Sequence, residues 1–589
     1  MKSARLLVLF LFACSHPAAP AGQASAPQAA TVASAPPVAA SGTKTLTILG
    51  TNDVHGAIER VPLFSGFVAN VRAARAADGG GVVLVDGGDM FQGTLESNLA
   101  EGADMVRAYN KLAYDAVAVG NHEFDYGPAG PKTTPSNGED PRGALKARAS
   151  EAHFPFLVSN IADAQTGARI EYPNMPASTL IERAGVKIGI IGVSTEVTPT
   201  TTMAANFAGL QMMPPAPAVI EQAKVLRDKG AQVIIATMHV GSSCRDVEHH
   251  DDTSSCDKDE EIFPLIAALP KGTVDVMVGG HTHAGMAHMI DGIAVIESYA
   301  SGRAFGRIDL TLDASGKIVS KKIFAPHLMC PLDKNHNPAP VAECDLGSYE
   351  GKPVVADPEV KQIADAALAR AAERRSEPLG ITVTKTITRA HSAESAEGNL
   401  LTDLMLAARK DAQIAMTNGG GLRADIPAGA LTYGQLFEST PFDNRFVIVD
   451  VTGKTLREVL ADNLGRDSGL LSFSGLTARA ACKAGKLDIE IKVAGKPVSD
   501  SAHYKIATSD FLTTGGDGVF QRVHLPASAI QVTDVIIRDA MADVLRSWKG
   551  TAKATIDPDK LLVKKSPRLE FPGKRPVRCD GASGKEASK

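Results

Sequence analysis

Eight side chains set the chemical question: Asp53, His55, Asp89, Asn121, His122, His239, His281 and His283. Imidazole, carboxylate and amide groups suit Zn2+, Mn2+, Co2+ or Fe2+. A carboxylate among them can bridge two cations about 3.5–4 Å apart. Taken singly, each residue proves little, because Asp-x-His arises by chance and a lone histidine near a strand end is more often structural. Their joint placement is the signal: all arrive at strand ends, several in Gly-rich turns that let the backbone approach closely.

The elements that position them are short apolar runs. Lys44 to Gly50 leads into Thr51-Asn52-Asp53-Val54-His55, and Gly81 to Val85 into Asp86-Gly-Gly-Asp89. Ala116 to Val119 leads into Gly120-Asn121-His122-Glu123, Val233 to Met238 into His239, and Val274 to Val278 into Gly279-Gly-His281-Thr-His283. Strands that alternate with helical stretches imply an α/β layered core, with ligands at the carboxyl ends of the strands. Asp357 to Arg375 is Ala-rich, with Pro358 at the first helical position, and predicts a connecting helix. A second α/β body is expected from 377 to 573, with a strand over Phe446–Val451 and a helix over Lys454–Leu460. Beyond Lys574 the chain is polar and expected to be loose.

The second body has its own motifs. Thr417-Asn418-Gly-Gly-Gly-Leu-Arg423 sets three glycines between an amide and a guanidinium, a natural anion cradle, although a plain tight turn would read the same way. Pro441-Phe442-Asp443-Asn444 and Phe511-x-x-Thr514-Gly-Gly-Asp517-Gly518 follow. Each phenylalanine alone would more often be core.

The order Asp53-x-His55, Gly-Gly-Asp89, Gly-Asn121-His122-Glu, Met-His239 and Gly-His281-Thr-His283 resembles the calcineurin-like metallophosphoesterases. The spellings Thr-Asn-Asp-Val-His-Gly and Gly-Asn-His-Glu-Phe-Asp are similar to the 5′-nucleotidase branch. The resemblance runs from about Thr45 to Gly573. It implies a two-domain α/β protein: a four-layer β-sandwich flanked by helices over 44–350, a linker helix within 351–376 and a smaller α/β substrate-binding domain over 377–573. It further implies two divalent metal ions (Zn, Mn, Co or Fe). Asp53, His55 and His283 would hold the first, Asn121, His239 and His281 the second, and Asp89 would bridge. Such a pair brings a bound water toward neutral pKa and offsets phosphoryl charge, a proportionate device for so slow a hydrolysis. His122 would act at the leaving group with Asp125 setting its tautomer. Phe442 and Phe511 would sandwich the base, Asp517 would take the ribose hydroxyls, Asn444 and the Gly469 backbone would lie near the base, and Asn418 and Arg423 would complete the substrate site. The implied activity is hydrolysis of nucleotide phosphate esters, with UDP-sugars and 2′,3′-cyclic nucleotides as further substrates. One departure stands out: the family's further arginines are represented here by Arg389 and His391, and a neutral imidazole grips phosphate less well than a bidentate guanidinium.

Composition bounds the rest. At 589 residues, 44% hydrophobic and 22% charged, the chain has the make-up of a soluble protein of several domains. A net charge of −5 offers no polybasic footprint, which argues against long nucleic acids as partners. Lys2, Arg5 and the apolar Leu6–Phe12 form an export signal over 1–13. Leu11-Phe-Ala-Cys14 resembles a lipobox, so Cys14 is the expected lipidation site, against an ordinary cleaved signal as the simpler reading. Residues 14–43 would be an Ala/Pro/Ser-rich tether from membrane to body. This points to the periplasm or an outer-membrane or cell-surface lipoprotein. The other six cysteines fit an oxidising compartment: Cys244/Cys256 and Cys330/Cys344 are local pairs, with Cys482/Cys579 left as a possible third. A solvated polar loop is the simpler reading of His249 and His250 between the first pair. Two rival functions share these features: a thiosulfohydrolase on the same scaffold, and a non-catalytic surface-binding lipoprotein. Asn418–Arg423 with Phe442 and Phe511 argues against the first, and the complete ligand set against the second.

Overall fold

A computed structural model describes residues 42–130, 135, 138–332, 339–466, 468–523 and 525–579. The leader, Cys14 and most of the tether lie outside the described residues. The strands of the first part are β1 (Lys44–Thr51), β2 (Gly81–Asp86), β3 (Ala116–Ala118), β4 (Phe156–Leu157), β5 (Ser178–Arg183), β6 (Val186–Ser194), β7 (Val233–His239), β8 (Val276–Val278), β9 (Gly285–Ile290), β10 (Ile293–Ser298), β11 (Ala304–Leu312) and β12 (Ile318–Leu328). They form two six-stranded sheets, ordered β12-β11-β1-β2-β3-β4 and β9-β10-β8-β7-β6-β5. β1 to β4 run parallel, as do β6, β7, β8 and β10, so their carboxyl ends emerge on one side.

Alternation along the strands builds the layers. Leu46, Ile48, Val83 and Val85 meet Ile188, Ile190, Val233, Ile235, Val276 and Val278 between the sheets. On the outer face of the first sheet, Leu49, Val82 and Leu84 pack on Phe64, Phe67 and Tyr109 of the helices Val61–Asp78 and Ala103–Leu112. On the outer face of the second, Ile191, Val193 and Ile234 pack on Val219, Leu226 and Leu265. This gives four layers, helix, sheet, sheet, helix. Strands buried on both faces read as continuous apolar runs, which is why they are visible in the sequence.

The helix Pro358–Ser376 is capped by Asp357, whose side chain accepts from the N–H groups of Glu359 and Val360. Beyond it, β13 (Ile414–Asn418), β14 (Arg445–Thr452), β15 (Leu471–Ser474), β16 (His503–Ser509) and β17 (Ile530–Ile536) form a mixed sheet ordered β15-β13-β16-β14-β17. Along β14, Phe446 and Ile448 face one core and Val447 and Val449 the other. Leu95, from the short helix Leu95–Asn98 just after β2, is buried in the first of these cores, so the early part of the chain enters the later one.

Disulfides join Cys244 to Cys256, Cys330 to Cys344 and Cys482 to Cys579. The last corrects the expectation of a loose tail for residues 574–579; the rest of that tail lies outside the described residues. Val577 is buried and its N–H donates to the Leu464 carbonyl, so residues 574–579 are anchored by packing as well as by the cysteine. No helix among the described residues is long and apolar enough to cross a membrane.

Candidate functional site

The parallel strands end at one place, and the turns that follow are held in unusual backbone. Asp53, His55, Asp89, His281 and His283 all have positive φ, between 48° and 82°. Side-chain-bearing residues rarely adopt this region, and clusters of it mark functional sites. Gly88 (φ 94°) shows why small residues flank them: a Cβ there would meet the Gly120 nitrogen at 2.8 Å.

The donors converge. His239 Nε2 lies 3.0 Å from Asp89 Oδ2 and 3.0 Å from Asn121 Oδ1, with His281 Nδ1 3.2 Å away. His55 Nε2 lies 2.9 Å from His283 Nε2, which is 3.3 Å from Asp53 Oδ1. Asp89 Oδ2 stands between the two sets, 3.9 Å from His55 Nε2. Asp53, His55 and His283 offer a common ligand point, as do Asp53, Asp89 and His239. Imidazole orientation agrees with this use. His55 Nδ1 is held by the Gln92 carbonyl at 2.8 Å and His239 Nδ1 by the Gly87 carbonyl at 3.0 Å, which leaves each Nε2 turned inward.

These residues fit divalent cations. Asp53 Oδ1 is buried and accepts no well-formed hydrogen bond, an expensive state unless a cation uses it. Burial would raise the Asp53 and Asp89 carboxyls, yet neighbouring imidazoles (His283 for Asp53, His239 for Asp89) hold both below the ordinary carboxylate range. Both are therefore anionic and ready to ligate.

His122 is placed differently. Its N–H donates to Asp89 Oδ1 at 2.9 Å, while its Nδ1 meets Asp125 Oδ2 at 2.6 Å. Thr202 donates to the other Asp125 oxygen at 2.9 Å. Burial alone would lower the His122 pKa, but the Asp125 and Asp89 carboxylates hold it above the usual histidine value.

Above the donors opens a cavity of about 820 Å3, lined by Asp89, Asn121, His122, His281 and His283 below and by Asn418, Arg423, Phe442, Phe511 and Asp517 opposite. Asn444, Gly469, Arg389 and His391 also line it. The Arg423 guanidinium reaches across to His55 Nε2 at 3.1 Å. The Phe442 ring lies against His122, centroids 5.5 Å apart and planes at 29°. Asn418 Nδ2 donates to Asp517 Oδ2 at 2.7 Å. Gly469 lies close enough to the glycine run that a Cβ there would meet the Gly420 nitrogen at 2.9 Å. Arg389 donates to the Leu422 carbonyl at 3.1 Å. Every substrate-site residue expected from the sequence thus reaches one cavity.

Two buried carboxylates escaped sequence reading. Glu123 accepts from the N–H groups of Asp89 (2.8 Å), Met90 (2.8 Å) and Gly120 (2.7 Å), tying the turns after β2 and β3 together. Glu297, on β10, accepts from Thr282 between His281 and His283 at 2.6 Å. Glu123 stands in the quoted Gly-Asn-His-Glu motif, which was a usable signal; Glu297 has none, because it meets its partner only across the sheet.

Imidazole, carboxylate and amide donors at the carboxyl ends of a two-sheet sandwich define a metallophosphoesterase-type centre. The calcineurin-like phosphoesterase family model matches residues 46–285, and the 5′-nucleotidase C-terminal domain model matches 375–523. The chain is 28% identical over 516 residues to protein UshA of Escherichia coli K12, covering 80% of this chain and 86% of that protein. It is 27% identical over 522 residues to a 5′-nucleotidase of Vibrio cholerae, covering 80% and 85%. In fold it is similar to a 5′-nucleotidase precursor from Thermus thermophilus, with TM-score 0.66 and 23% identity, covering 87% of this chain and 99% of that one. It is also similar to the sulfate thiohydrolase SoxB from the same organism, with TM-score 0.65 and 17% identity, covering 92% and 99%. The protein belongs to the family that joins a calcineurin-like phosphoesterase domain to a 5′-nucleotidase C-terminal domain, and it is a phosphoric ester hydrolase.

Proposed function

We propose that the protein is an exported, metal-dependent nucleotidase that cleaves nucleotide phosphate esters in the cell envelope, tethered by a lipid on Cys14. The observation that carries this reading is the shared cavity, where Asp89, Asn121, His122, His281 and His283 face Phe442, Phe511 and Asp517, with Asp53, His55 and His239 behind them in the same donor cluster. Asp53, His55 and His283 would hold one divalent ion and Asn121, His239 and His281 a second, with Asp89 between them. Ions so held supply charge neutralisation at the phosphoryl group and a water activated near neutral pH.

The chain's own groups do the rest. Arg423, half-buried beside His55, binds the phosphoryl oxygens as a planar fork. His122, with Nδ1 committed to Asp125, turns Nε2 to the leaving oxygen and donates a proton there. Phe442 and Phe511 grip the base from two sides, a contact worth ~1–3 kcal/mol. Asp517, kept in place by Asn418, accepts from the ribose hydroxyls. The scaffold is also that of a thiohydrolase, so fold alone does not choose the substrate; the aromatic and acidic lining favours a nucleoside. Three disulfides support an oxidising compartment.

The test is phosphate release from nucleoside monophosphates, UDP-glucose, 2′,3′-cyclic nucleotides and p-nitrophenyl phosphate, before and after chelation and with Mn2+, Co2+ or Zn2+ restored. Loss on chelation, recovery with metal and a preference for nucleotides are expected. Full turnover in metal-free protein, or no preference for nucleotides, refutes the reading.

A further inference from the structure

The segment that carries Phe442 has no regular secondary structure from Pro441 to Asn444, so its shape must come from tertiary bonds. Asn98 supplies one, to the Pro441 carbonyl, and a set of others comes from one helix, Ile537–Trp548, which does not line the cavity. Its first N–H, on Ile537, donates to the Asn444 carbonyl at 2.9 Å. The next residue, Arg538, is only 4% exposed. Its Nη1 donates to the carbonyls of Thr440 (3.3 Å) and Phe442 (3.1 Å), and its Nη2 pairs with the Asp443 carboxylate. Its Nε donates to the Tyr433 hydroxyl at 3.2 Å, and its guanidinium lies over the Phe437 ring at 4.1 Å. Tyr433 in turn donates to Asp539 at 2.5 Å and is covered by Arg374, 3.6 Å above its ring, at the end of the connecting helix.

A buried guanidinium is costly unless its donors are used. Here they serve two carbonyls, a carboxylate and a hydroxyl, all but the last in the 440–443 loop. A lysine ammonium, a point charge without a planar fork, could not reproduce the set. We infer that Arg538 is the positioning residue of Phe442, fixing the loop so that the ring stands beside His122 on the cavity wall; Arg538 thereby sets nucleotide selectivity without touching substrate. The inference rests on the reading of Phe442 as a base-stacking ring.

Steady-state kinetics of the full chain test it, with a nucleoside monophosphate and p-nitrophenyl phosphate as substrates, metal content and melting temperature being measured in parallel. Arg538→Met is expected to raise the nucleotide KM about tenfold, within the range one stacked base is worth. KM and kcat for p-nitrophenyl phosphate should stay within about twofold and metal content should be unchanged, a split that general loosening of the fold would not produce. In a Phe442→Ala background Arg538→Met should add nothing to the nucleotide KM, because the two act through one ring. Arg538→Lys is expected to behave as the Met variant does and carries the test if the Met variant does not fold. If Phe442→Ala raises the nucleotide KM and neither Arg538 variant does, the positioning role is overturned while base stacking stands. Equal losses on both substrates, or additive effects in the double variant, overturn it too. If Phe442→Ala itself leaves the nucleotide KM unchanged, base stacking falls and this inference with it.

Discussion

Replacing Asp125 by Asn tests the His122 assignment without changing side-chain size. The two Asp125 oxygens have separate work: Oδ2 holds His122 Nδ1 at 2.6 Å and Oδ1 accepts from Thr202 at 2.9 Å. Asparagine can keep the Thr202 contact and offer a neutral partner to the imidazole, but it removes the charge that steadies the protonated ring. A net hydrogen bond to a charged group is worth about 1.5–3 kcal/mol. If that energy is expressed only when His122 carries its proton at the leaving oxygen, kcat should fall about 10- to 150-fold, at 1.36 kcal/mol per tenfold. His122→Ala, which removes the donor, should cost about 10²–10⁴-fold. Nucleotide KM and metal content should be near those of the parent in Asp125→Asn, because neither oxygen faces the donor cluster. Phosphate-release kinetics with elemental analysis of the same preparations supply the numbers. The decisive comparison is Asp125→Asn in a His122→Ala background, where it should have no further effect. Wild-type turnover in the single variant, or an equal second loss in the double variant, would refute the coupling of Asp125 to catalysis through His122.

Asp89→Ala should abolish hydrolysis of every substrate and lower bound metal, since Asp89 stands between the two donor sets; a variant that keeps two metals and normal turnover would refute a bridging role. Peptide mapping without reduction should recover Cys482 linked to Cys579 along with the two local pairs. Replacing both Cys482 and Cys579 by Ser should cost about 2–4 kcal/mol of stability by denaturant unfolding, the usual worth of a disulfide, and no change would mean the tail is held by packing alone.

The residues of the donor cluster were legible as a set because each ends or follows a strand buried on both faces, where an apolar run meets a polar turn. Phe442, Phe511 and Asp517 could be named only through resemblance to a family: nothing in their local pattern separates a lining ring from a core ring until β13, β14 and β16 bring the loops together. Arg538 was out of reach for another reason. It acts by hydrogen bonds to backbone groups of a loop that is distant in the chain and irregular in shape, and such partners leave no periodic trace. Residues 574–579, the start of the tail, were misread because their polar composition hides a valine that packs, Val577.

Leu95 carries a consequence for binding. Within seven residues, Gln92 holds the His55 imidazole through its carbonyl, Leu95 is buried in the later core, and Asn98 donates to the Pro441 carbonyl at 3.3 Å, next to Phe442. One short stretch is thus the mount of a chelating group and the neighbour of an aromatic one. If the proposed function holds, this shared stretch predicts that ligands at the two ends of the cavity are linked: a cation that settles His55 would also settle the loop beside Phe442, and by reciprocity a bound nucleoside would tighten the hold on the cation by the same factor. Cation affinity would then depend on what else the cavity holds.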